Sequence, residues 1–180
     1  MFEDYSERLF AHFVAGQWRA PFGSVCLPVP MPDGRGCGQI VPAGPRDVAR
    51  AVAALHGAGS AATQRFADRL AAALPELIAA FALDTTQIDF QQICPHPSEG
   101  GVVLLGIPNT ALAGLLPSVL SRLQDGVILC PAPEQAVLAT AIATIAQAAD
   151  LPPGAFALLQ ARIPSTEAAL RSTGLQLHEL

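Results

Sequence analysis

Apolar positions follow two different rhythms on either side of residue 100. Before it, Val48, Ala51, Val52 and Leu55 recur at helical spacing behind Pro45 until Gly57 and Gly59 stop them. Phe66, Leu70, Leu74, Leu77, Ile78 and Phe81 mark one face of a second helix running from Thr63 to Leu83, with Pro75 expected to kink it or to mark a join. Ahead of both helices, the short runs Phe13-Val14-Ala15, Val25-Cys26-Leu27 and Gln39-Ile40-Val41 are separated by turn signals at Gly16-Gln17, Pro21-Phe22-Gly23 and Pro32-Asp33-Gly34. That spacing predicts a small antiparallel meander.

After residue 100 the strands are apolar throughout and alternate with helices. Val102-Val103-Leu104-Leu105, Val127-Ile128-Leu129-Cys130 and Phe156-Ala157-Leu158-Leu159 read as strands. Thr110 to Gln124, Glu134 to Ala149 and Ser165 to Ser172 read as the helices that follow them. Strands without apolar/polar alternation, joined by helices, belong to a parallel sheet covered on both faces. The fold class is therefore α/β: a partial Rossmann-like β-α-β-α-β parallel sheet, preceded by the antiparallel meander and two helices. Residues 1–99 form the hairpin and helical part and residues 100–180 the Rossmann-like subdomain, together one compact domain. Gln87 to Gly100, with Cys94-Pro95-His96-Pro97, is the loop between the halves. Three parallel strands leave an open sheet edge, which invites pairing with another chain.

Open parallel sheets bind ligands beyond the carboxyl ends of their strands. Those ends carry Gly106-Ile107-Pro108-Asn109, Pro131-Ala132-Pro133-Glu134 and Gln160-Ala161-Arg162. Composition narrows what they can do. Half of the residues are apolar (51%) and 14% charged, enough to bury a core. The net charge of −5 sets 15 acids against 10 arginines with no lysine, which removes Schiff-base chemistry and makes nucleic acid an unsuited partner. Cys26, Cys37, Cys94 and Cys130 form no C-x-x-C pair and no cluster at zinc-ligand spacing, so no metal site is expected. His12 and His56 are expected at solvated ends of elements. The acidic start Met1 to Arg8 is unlike a secretory signal, and the expected location is cytoplasmic, with reduced thiols. The charge-free stretch Gly100 to Ser121 is long enough for a membrane span but holds Pro108, Asn109, Thr110 and Pro117, so a buried strand and helix explain it better.

Several segments, taken in order, resemble the aldehyde dehydrogenase superfamily. Phe13-Val14-Ala15-Gly16-Gln17-Trp18, Pro32-Asp33-Gly34-Arg35, Ile40-Val41-Pro42-Ala43-Gly44 and Asp47-Val48-Ala49-Arg50-Ala51-Val52 are similar to its opening hairpin and first helix. Asp68-Arg69-Leu70 through Leu83-Asp84-Thr85 is similar to its next helix and turn. Gly101-Val102-Val103 leading to Ile107-Pro108-Asn109, Val127 to Glu134, and Leu151-Pro152-Pro153-Gly154 resemble the first Rossmann strand and its turn, the ribose-binding turn, and the signature before the third strand.

The resemblance implies an NAD(P)-dependent oxidoreductase ancestry. It assigns Asn109 to the oxyanion hole, where a side-chain amide donates to the developing oxyanion, and Pro108, Pro131 and Glu134 to the cofactor cleft. Both Asn109 and Glu134 also read as residues that favour a helix start. Cys130 stands where the family usually carries a ribose-binding lysine, and it is expected to be packing rather than a nucleophile. No position matches the catalytic cysteine, the general-base glutamate or the pyrophosphate turn. These departures imply a truncated, catalytically incompetent pseudoenzyme, with NAD or NADP binding weak or lost, that works through a protein partner: a second copy or a full-length aldehyde dehydrogenase. The alternative is a subunit of a split NAD(P)-dependent aldehyde dehydrogenase completed by another chain.

Overall fold

The computed structural model describes residues 8–30, 36–81, 100–106 and 112–180. Nine strands and five helices lie among them. β1 (Leu9–Phe10), β2 (His12–Val14), β3 (Gln17–Arg19), β4 (Leu27–Pro30) and β5 (Gly36–Ile40) come first. They are followed by α1 (Pro45–Ala54), α2 (Ser60–Phe81), β6 (Val102–Leu105), α3 (Leu112–Arg122), β7 (Val127–Cys130), α4 (Ala136–Ala148), β8 (Phe156–Leu158), α5 (Pro164–Arg171) and β9 (Gln176–Glu179). The expected loop over Gln87 to Gly100 lies almost wholly outside the described residues, as do Pro108 and Asn109.

The main sheet has the order β3-β2-β8-β7-β6-β9. β8, β7, β6 and β9 are parallel neighbours, with Val102 opposite both Val127 and Gln176. The β-α-β-α-β unit is thus present and runs on by one further strand. β9 returns beside β6, so the sheet grows in one direction from β6 to β8 and then reverses. The edge of β6 that the sequence left open is therefore covered by β9, and the outer edge of β8 is covered by the β2/β3 hairpin through the antiparallel pair Phe13 and Leu158.

Helices on both faces of the sheet explain why every residue of β6, β7 and β8 is buried, since their side chains alternate between the two. Val102, Leu104, Val127, Leu129, Phe156 and Leu158 point to one face, against Phe66 and Leu70 of α2, Leu116 and Leu120 of α3, and Ile142 of α4. Val103, Leu105, Ile128, Cys130, Ala157 and Leu159 point to the other, against Val48 and Ala51 of α1 and Leu170 of α5. Burial of one such side chain contributes about 1.5–3 kcal/mol, which makes these two layers the main source of stability.

The N-terminal β region departs from a single meander. Its hairpin β2/β3 joins the main sheet, whereas β1, β5 and β4 form a separate three-stranded sheet in which β1 runs parallel to β5. The local runs specify strands, but their partners are set by contacts far away in sequence. α2 passes through Pro75 as one helix of 22 residues, because Pro75 lies on an exposed position while Leu70 and Leu77 stay buried on the inner face. No described helix is long and apolar enough to cross a membrane.

Candidate functional site

The carboxyl ends of β6, β7, β8 and β9 meet at one edge of the sheet. The Gly106 N–H donates to the Cys130 carbonyl at 2.9 Å, the Arg162 N–H to the Pro131 carbonyl at 2.7 Å, and the Leu180 N–H to the Leu105 carbonyl at 3.1 Å. These bonds carry the ladder past the strand ends and fix the segments that follow. A Cβ on Gly106 would lie 2.6 Å from Gln135 Oε1 and 3.0 Å from Pro131 Cα, so the β6 exit passes close against the β7 exit.

Glu134 sits in the 3-10 turn Pro133–Gln135 between β7 and α4, with its side chain exposed. No described residue is hydrogen-bonded or ion-paired to its carboxylate. Pro131 is buried, and Gln135 Oε1 accepts the Ala132 N–H at 3.4 Å, which orders the turn. Of the sequence-nominated residues the structure thus brings Pro131 and Glu134 to the sheet edge, while Pro108 and Asn109 fall outside the described residues.

Cys130 is fully buried on the α1/α5 face, and burial pushes its thiol up to about 12 against the opposing pull of Arg162. A thiol of that kind is an inert packing group at neutral pH. Iodoacetamide at about pH 8 is accordingly expected to alkylate exposed Cys26 and leave Cys130 untouched, read by peptide mass mapping.

Arg162 carries a network that the sequence did not reveal. Its Nε donates to Glu167 Oε2 at 3.1 Å, its Nη2 donates to Glu179 Oε1 at the end of β9, and Arg171 donates to Glu167 from the next turn of α5. Arg171 first, then Arg162, hold the Glu167 carboxyl below the usual carboxylate range. The network ties the β8 exit to the carboxyl end of β9 across the ends of β7 and β6. Finding it from sequence required knowing that β9 exists and where it inserts.

Behind the edge lies a buried polar cluster. His12, expected at a solvated end, is instead wholly buried, because β2 is interior to the sheet between β3 and β8. Its Nδ1 accepts the Gln160 N–H at 3.0 Å, and Gln160 Nε2 donates to Thr140 Oγ1 at 3.0 Å. The Ala43 N–H donates to the Gln160 carbonyl at 3.0 Å, and Thr166 Oγ1 donates to the Ala43 carbonyl at 2.8 Å. Among the described residues there is no group of three or more His, Cys, Asp or Glu side chains fit to hold a metal ion.

Neither a protein-family model nor a curated protein matches this sequence. Solved structures do match. An aldehyde dehydrogenase from Bartonella henselae superposes at a TM-score of 0.72 over 97% of this chain and 52% of its own, at 14% identity. An aldehyde dehydrogenase C mutant from Pseudomonas syringae, complexed with NAD+ and octanal, gives 0.71 over 98% and 50%, at 16% identity. The fold is that of the aldehyde dehydrogenases. HpcC from Thermus thermophilus matches at 0.71 over 92% of this chain and 42% of its own, at 23% identity. The chain thus spans about half the length of the aldehyde dehydrogenases it matches.

Two matched aldehyde dehydrogenase structures hold NAD+, which allows a test of fit against the residues present here. An exposed carboxylate such as Glu134 suits ribose hydroxyls. A pyrophosphate finds no free cation at this edge among the described residues: Arg162 is engaged by two carboxylates, and Glu167 and Glu179 face the same space. The described residues therefore place one exposed carboxylate, Glu134, and one carboxylate-engaged cation, Arg162, at this edge.

Proposed function

We propose that this chain acts as a binding or structural partner built on the aldehyde dehydrogenase fold, not as a self-sufficient dehydrogenase. The observation that carries this reading is the state of Cys130. It is the described cysteine closest to the ligand edge, and it is buried and held protonated, so the described edge supplies no nucleophile for a thiohemiacetal. The engagement of Arg162 supports weak or lost NAD(P) binding.

The second reading is a subunit of a split NAD(P)-dependent aldehyde dehydrogenase, and exposed, unpaired Glu134 favours it. One titration separates the two. A ligand that binds the native state raises the unfolding midpoint according to its concentration over Kd. The proposal expects no shift with about 1 mM NAD and no NADH formation when the chain is mixed with an aldehyde. A clear shift that Glu134→Ala abolishes supports the split-enzyme reading. Turnover by the chain alone overturns both.

A further inference from the structure

The structure offers a surface for the partner at the amino-terminal end of α1. Arg46 and Arg50 lie on the first two turns of α1, and both guanidiniums stand over the Phe22 ring, at 4.2 and 4.0 Å from its centroid. Three features make this arrangement costly as internal architecture. Like charges at i and i+4 repel, a cation in the first helical turn opposes the macrodipole, and the acid between them is turned away. Asp47 is buried, with its carboxylate accepting the Phe22 N–H at 3.3 Å and the Gly44 N–H at 3.2 Å. Among the described residues neither guanidinium meets a carboxylate, although the chain as a whole carries an excess of five negative charges. The two ring contacts offset part of that cost, and the remainder marks a place where a partner's carboxylates would add to stability.

The apolar side of the patch points to the kind of ligand. Phe22 is 48% and Val25 70% exposed, two of the three large apolar side chains left in solvent among the described residues. A small anion would satisfy the arginines and leave both uncovered. An extended protein segment that presents carboxylates beside apolar side chains covers both.

We infer that Phe22, Val25, Arg46 and Arg50 form a docking surface for an acidic, apolar segment of a partner protein. The inference rests on the partner reading above and adds where the partner is held. Each arginine offers a planar fork of donors to a carboxylate, and the ring fixes both forks by cation–π contact.

The test uses the full chain and a fluorescein-labelled peptide alternating glutamate and phenylalanine, read by anisotropy. Binding is expected at low salt, weakening steeply as salt rises. The double variant Arg46→Gln with Arg50→Gln is expected to lose about tenfold or more in affinity, and Phe22→Ser several-fold. The arginine variant relieves a like-charge pair while giving up two exposed ring contacts, so its unfolding midpoint should change little, which separates docking from a structural role. The inference is overturned if the double variant binds equally well, if a glutamine-phenylalanine peptide binds as tightly, or if inorganic phosphate at the peptide's concentration displaces it. The NAD and turnover assays read the sheet edge, so their outcome and this one fail independently.

Discussion

Between about pH 6.5 and pH 4 the protein is expected to lose on the order of 3 kcal/mol of stability through His12 alone. Burial, first, brings the His12 ring down to about 4, with Arg50 adding to the effect and Asp47 opposing it. The hydrogen bond to the Gln160 N–H fixes the reason in structure: Nδ1 must stay an acceptor, so a proton there breaks the bond. Nε2 carries the proton of the neutral ring and lies 3.8 Å from Asp47 Oδ2, beyond hydrogen-bonding range.

The sign follows from proton counting. The unfolded chain protonates His12 near pH 6.5, while the folded chain resists until about pH 4. Within that window the unfolded state binds more protons, so stability falls as pH falls. It is complete above the unfolded value and the loss is complete below the folded one. Urea midpoints at pH 7, 5.5 and 4.5 measure this, with His12→Asn as the reference because its amide oxygen can still accept the Gln160 N–H. The wild type should lose stability across the window and the variant should follow only the slope set by its carboxylates. Identical slopes would remove His12 as the cause.

That His12 is buried was not legible in the sequence, and the reason is general to this fold. Continuous apolar runs at 102–105, 127–130 and 156–158 announce strands buried on both faces, and the helix periods between them announce the crossovers. Pairing of distant segments leaves no such local mark. His12 occupies a short strand whose neighbours are β3, five residues on, and β8, nearly 150 residues on, so only the assembled sheet shows it to be interior. β9 is hidden for the opposite reason. Gln176, Leu177, His178 and Glu179 hold a single apolar residue and stay partly exposed, so these four residues do not stand out beside the all-apolar strands. The site was legible in proportion: Glu134 and Pro131 follow directly from the end of β7, whereas the ties from Arg162 to Glu167 and Glu179 depend on β9 being in place.

Replacing Gly154 with alanine is expected to cost about 3–5 kcal/mol, in the range reserved for a named steric failure. Gly154 has φ +96°, a conformation that penalises any side chain by roughly 1–2 kcal/mol. The larger part is contact. A Cβ there would lie 1.9 Å from the Ala54 carbonyl oxygen and 3.1 Å from the Ala54 carbonyl carbon, both backbone atoms at the end of α1. Neither can rotate away, so α1 must shift off the turn that leads into β8. The same turn accepts the His56 N–H at the Gly154 carbonyl, 3.2 Å away, and its Ala155 carbonyl accepts the Val127 N–H at 2.9 Å. Moving α1 therefore disturbs the main sheet and the α1/α5 face together. Gly174 supplies the control: its φ is also positive, +76°, but a Cβ there meets nothing within 4 Å. Gly174→Ala should cost only the conformational share, about 1 kcal/mol, while Gly154→Ala lowers the thermal midpoint by about 10 °C. If the two variants lost the same amount, the close approach of α1 to the β8 turn would not be what demands glycine at position 154. A large gap between them ties the Leu151-Pro152-Pro153-Gly154 segment to packing of the fold, independently of any ligand at the sheet edge.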